Sequence, residues 1–127
     1  MPNDLSAVFA AIRPLYARHE QKGVVLHDEP RRYYIGTHEV RTKDGYRTWL
    51  GGVEIKKSYV SAHLIPIYAH PSLLEGITPA LRKRMQGKSC FNFKSIDPAL
   101  IAELGQLVEK GVAAFQTEGR FRKPMED

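Results

Sequence analysis

One cysteine, one tryptophan and no long apolar run stand out in this sequence, and each scarcity closes off an explanation. A lone Cys90 excludes an internal disulfide framework and fits a reducing, cytoplasmic setting. No apolar stretch approaches the roughly 20 residues needed to cross a bilayer, so no membrane partner is expected. The first residues, MPNDLSAVFAAIRPLY, carry no basic leader and place Asp4 ahead of a short apolar stretch, which argues against a secretory signal. GxSxG, GxGxxG and Walker A patterns are also missing. Gly51-Gly52 is an isolated glycine pair, and Gly87-Lys88-Ser89 lacks the upstream glycine of a phosphate loop. No CxxC or HxxxH spacing suggests zinc. Neither a cofactor nor a bound metal is therefore expected.

What is present is ordinary soluble composition. With 127 residues, 43% hydrophobic and 26% charged, the chain fits one domain spanning 1–127. Nineteen Lys+Arg against 14 Asp+Glu give a net charge of +5. The basic residues fall in short clusters, Lys56-Lys57, Arg82-Lys83-Arg84 and Arg120-Arg122-Lys123, without a base-reading motif. They read as solvated faces, and no nucleic-acid partner is assigned.

Periodicity supplies the elements. Asn3 or Asp4 caps a first helix, in which Leu5, Val8, Phe9, Ile12, Leu15 and Tyr16 make one apolar stripe. Pro14 should kink or split it, and Lys22-Gly23 should end it. RYYIGTHEV and YRTWLGGVEI read as strands joined by a hairpin turn at Lys43-Asp44-Gly45. SYVSAHLIPIY reads as a further strand, with Pro66 demanding an edge or a bulge. SLLEGITPALRKRM has helical spacing, with Thr78-Pro79 as a start and Gly87 as its end. SCFNFKS is a short strand, Asp97-Pro98 opens a last helix, and the basic tail after Gly119 should fray. The expected fold is a two-layer α+β domain, a mostly antiparallel sheet with N- and C-terminal helices packed on one face.

Alternation along the strands then separates two faces. Trp49, Val53, Ile55, Val60, Ala62, Leu64, Phe91 and Phe93 form the expected core side. Tyr34, His38, Leu50, Glu54, Tyr59, His63, Cys90 and Asn92 form the other, whereas His70 before Pro71 reads as a loop residue. Tyr34, His38, Tyr59, His63, Cys90 and Asn92 are the expected ligand-binding residues, since such a face lines a groove or a partner interface. No catalytic set is assigned.

The segments GGVEIKKSYVSAHLIPIY and LLEGITPALRKRMQGKSCFNFKSID, above all the run MQGKSCFNFK, resemble the YdhG-like domain family, a bacterial group of small domains. The resemblance covers roughly residues 30 to 115 and implies the same α+β architecture. Because some relatives are described as frataxin-like iron chaperones, it also raises an iron-handling role. Such a role relies on a ridge of carboxylates on the first helix and adjoining strand, since iron prefers oxygen ligands. Here that helix offers only Asp4 and Glu20, and Arg31 and Arg32 offset Asp28 and Glu29.

The functional expectation is a non-enzymatic module that binds a small molecule or a protein. A second copy of the chain is a candidate cover for the non-core face, whose exposed apolar area a monomer seldom tolerates. The alternatives are a frataxin-like iron carrier and a small enzyme with Cys90 as nucleophile and His63 as base.

Overall fold

The Asp4 carboxylate accepts a hydrogen bond from the Ala7 amide (3.1 Å) and starts helix α1, Leu5–Ala17, in a computed structural model that describes residues 4–122. The stripe Val8, Phe9, Ile12, Leu15 and Tyr16 is buried, as the spacing predicts. Pro14 does not split the helix. It sits in the last turn, and the carbonyl that loses its donor belongs to exposed Ala10, where water can replace the missing N–H. The helix ends at Ala17, and further turns bring the chain to Gly23.

Six strands follow: β1 Val24–Glu29, β2 Arg32–Val40, β3 Arg47–Ile55, β4 Val60–Leu64, β5 Met85–Gln86 and β6 Cys90–Phe93. They form one sheet in the order β1-β2-β3-β4-β6-β5, and neighbouring strands pair antiparallel throughout. Gly45, at φ +72°, closes the β2–β3 hairpin as expected, a conformation glycine adopts without the Cβ penalty. A tighter reversal, with the Lys56 amide donating to the Tyr59 carbonyl (2.7 Å), joins β3 to β4.

Two sequence expectations fail where proline meets local geometry. β4 stops at Leu64, short of Pro66, because it lies between β3 and β6 and a central strand cannot lose a ladder donor. Pro66 instead opens a single helical turn, α2 Pro66–Ala69, where a fixed φ is an advantage. The helix expected over SLLEGITPALRKRM is broken into a 3-10 turn, Pro71–Leu74, and α3, Pro79–Arg82. The Thr78 hydroxyl caps α3 and is itself held by Glu103 (2.7 Å). Met85 and Gln86, read as the end of that helix, form β5, and Gly87 at φ +76° turns the chain into β6. Helix α4, Pro98–Thr117, begins as predicted, with Asp97 capping the Leu100 amide.

α1 packs on β2, β3 and β4, and α4 packs on α1; α2, the 3-10 turn and α3 pack on α4. The helices therefore share one side of the sheet, making a two-layer α+β fold. The core between the layers contains Val53, Ile55, Val60, Ala62, Leu64, Phe91 and Phe93, all expected there. One strand departs from the pattern. The β2–β3 register steps from Ile35↔Gly51 to Gly36↔Trp49, leaving Leu50 as an extra residue. Gly51, at φ +146°, takes up the irregularity, and the alternation inverts beyond it. Leu50 is thus fully buried in the core, and Trp49, expected there, joins the other face. The segment after Gly119 also departs from the expected fraying. Phe121 enters the core, and the Arg120 guanidinium pairs with Glu39 and Glu118. The expectation for residues 123–127 lies outside the described residues.

Candidate functional site

On the face turned away from the helices, strand registers align one row across the whole sheet. His27 on β1 pairs with Tyr34 on β2, Tyr34 with Gly52 on β3, Gly52 with His63 on β4, His63 with Cys90 on β6, and Cys90 with Gln86 on β5. Glycine at the centre has a steric reason. A Cβ at Gly52 would lie 2.0 Å from the Tyr33 carbonyl oxygen and 2.8 Å from Tyr34 Cδ1. The Tyr34 ring can therefore lean over β3 and approach His63, with centroids 6.0 Å apart. Trp49 lies 5.2 Å from Tyr34, and His27 lies 6.0 Å from both rings. The result is a continuous aromatic cluster.

Next to it runs a polar row in the same register: Glu29, Arg32, Glu54, Ser61 and Asn92. The two rows are cross-linked. The Tyr34 hydroxyl donates to Glu54 Oε1 (2.9 Å), Ser61 Oγ lies 3.3 Å from His63 Nε2, and Cys90 Sγ lies 3.0 Å from His63 Nδ1. Beneath the row, the buried Tyr16 hydroxyl donates to the His63 carbonyl (2.8 Å), fastening α1 to β4.

Burial favours the neutral forms of His63, Cys90 and Tyr34. Burial, helped by the Lys56 cation, lowers the His63 imidazole below its ordinary value, with Glu54 opposing. Burial raises the Cys90 thiol, against weaker pulls from Ser89 and Lys56. Burial and the hydrogen bond to Glu54 raise Tyr34 well above the ordinary phenol range. Partial burial pulls Glu54 upward, but the Tyr34 hydroxyl and the Lys56 cation hold it below its ordinary value. A neutral pair is satisfied when Cys90 S–H donates to Nδ1 and His63 Nε2–H donates to Ser61.

The six expected site residues therefore divide. Tyr34, His63 and Cys90 meet in one row, and Asn92 stands in the adjoining one. Tyr59 lies at the mouth of a groove at the sheet corner, with Ser58, Lys83, Arg84, Met85, Gln86, Asn92 and Lys94. His38 lies beyond the β2 register shift, where its amide donates to the Arg120 carbonyl (3.0 Å), so it is spliced to the segment after α4. His70 caps α2 and pairs with Glu118 (3.2 Å). The expected site set lacks His27, Trp49, Ser61 and Gly52. Alternation does put Ser61 on this face, opposite Ala62, but a bulge conceals Trp49 and another, between Val25 and His27, conceals His27.

Among the described residues no group of three or more His, Cys, Asp and Glu side chains is placed to hold a metal ion, and no helix is long and apolar enough to cross a membrane. No protein-family model, curated protein or solved structure matches this chain.

Proposed function

We propose that this protein is a non-enzymatic binding module whose contact surface is the helix-free sheet face. The observation that carries this reading is the aromatic row, with His27, Tyr34, Trp49 and His63 brought from four strands into ring contact over a glycine whose missing Cβ lets the Tyr34 ring lie across β3. Rings with polar edges suit a flat ligand that stacks and exchanges a few hydrogen bonds. The sequence resemblance to the YdhG-like family carries the α+β architecture and the iron-handling alternative. The carboxylates that a frataxin-like iron carrier needs are instead engaged with cations: Asp28 with Arg13, and Glu29 with Arg32.

The sole tryptophan makes the test direct. Titrating aromatic fragments while following the Trp49 indole N–H signal by NMR should give binders that shift it, and Trp49→Ala should weaken them. Binders that leave the indole unmoved and survive Trp49→Ala would overturn the reading. A second copy is the other occupant this surface admits. A dimer in sedimentation velocity that Tyr59→Glu converts to monomer would favour it.

The small-enzyme reading has one observation in its favour, the 3.0 Å contact between Cys90 and His63. A nucleophilic cysteine needs a lowered thiol pKa or a base ready to take the proton. Here burial moves both groups towards their neutral forms. Binding is the better account.

A further inference from the structure

The aromatic row does not end at a neutral border. Asn92 lies two residues beyond Cys90 on β6, roughly 7 Å along the strand, on the same face. It opens onto the corner groove of about 530 Å³ lined by Ser58, Tyr59, Lys83, Arg84, Gln86 and Lys94. Strand pairing puts Arg84 opposite Asn92, because the Asn92 amide donates to the Arg84 carbonyl (2.7 Å). No carboxylate lines this groove. Six cations elsewhere, Arg13, Arg18, Arg32, Arg41, Lys56 and Arg120, each face an acidic partner, while among the described residues others such as Lys57 and Lys110 enter no ion pair. This corner differs in gathering three cations in one carboxylate-free groove. Among the described residues Lys83, Arg84 and Lys94 enter no ion pair. On their other flank Lys83 and Arg84 line a second depression together with Asp97, whose carboxylate accepts from the Leu100 amide at the start of α4.

We propose that the ligand of this face is a nucleoside mono- or diphosphate, its planar base lying against the part-exposed His63 ring at the edge of the aromatic row and its phosphate held by Arg84, Lys94 and Lys83 in the corner. The proposal rests on the binding-module reading above and adds the ligand class. Its parts are matched to different chemistry: stacking is indifferent to charge, whereas a phosphate is recognised by a guanidinium fork and ammonium charges. Asn92 and Gln86 stand at the junction, where a ribose would lie; the Asn92 amide donates to Gln86 Oε1 (2.5 Å), and the Asn92 oxygen and the Gln86 NH2 group stay available to a ligand. A free nucleotide fits better than a strand of nucleic acid. A polynucleotide needs a basic track running along its backbone, and the row leading away from the corner contains Glu54 and Glu29.

Calorimetric titration of the intact protein with ADP, adenosine, pyrophosphate and a single-stranded oligonucleotide, at fixed ionic strength, tests this. ADP should bind roughly tenfold more tightly than adenosine, the scale of a charge-assisted contact. The double variant Arg84→Ala/Lys94→Ala should remove that advantage and leave adenosine binding and the melting temperature unchanged. Equal affinity for ADP and adenosine, or an ADP advantage that survives the double variant, overturns the phosphate corner while the binding face stands. Pyrophosphate binding with no response to adenosine or ADP overturns both readings. An oligonucleotide that binds more tightly than ADP overturns the choice of a free nucleotide.

Discussion

Cys90 and His63 share a hydrogen bond whose direction depends on where the proton rests. Because burial raises the thiol and lowers the imidazole, thiolate should form only at a pH above the ordinary thiol value of 9.0. Alkylation rates followed against pH should therefore give a midpoint above 9, whereas a midpoint at about 7 or below would reveal an ion pair and revive the enzyme. His63 and His19 are both held by burial below the ordinary value of 6.5, so the unfolded chain takes up their protons first as pH falls. Stability should then decline from about pH 7 towards pH 5, and His63→Gln should flatten part of that decline in thermal melts. An unchanged slope in the variant would assign the effect to other groups.

Among the elements, β3 determines which aromatic residue belongs to which side. Leu50→Ala should cost about 2–5 kcal/mol in denaturant melts, as for a fully buried leucine. Gly52→Ala should cost at least about 2 kcal/mol, because its Cβ meets strand backbone that cannot yield. If either substitution is tolerated within about 0.5 kcal/mol, the bulge is misplaced. Much of this architecture was legible in advance. Alternation in VSAHL and CFNF put Val60, Ala62, Phe91 and Phe93 on the core side and His63 and Cys90 on the other, because regular strands obey a period of two. Alternation alone puts Trp49 on the core side because one inserted residue reverses that period, and Gly51 is too weak a signal to locate the insertion. The helix expected after Ser72 failed for a related reason. Its spacing was helical, but Gly76 and Pro79 divide a stretch too short to form more than separate turns.

At the scale of the whole molecule, the C-terminal segment acts as a clasp. Phe121 fills the core, and the Arg120 carbonyl accepts from the His38 amide, so the chain after α4 holds the far end of β2. Phe121→Ala should lower stability by about 3 kcal/mol, and hydrogen exchange should show the β2–β3 hairpin loosening with it. Exchange confined to the C-terminal turns would mean that the clasp carries no load. The aromatic row has a consequence for biosynthesis. The strand row that carries it draws on chain positions 27, 34, 52, 63 and 90, one from each of five strands, with Trp49 joining from β3. A nascent chain emerging from the ribosome cannot display the complete surface until β6 is free to dock beside β4. The face proposed for binding is therefore assembled late and all at once, only after every strand has found its register.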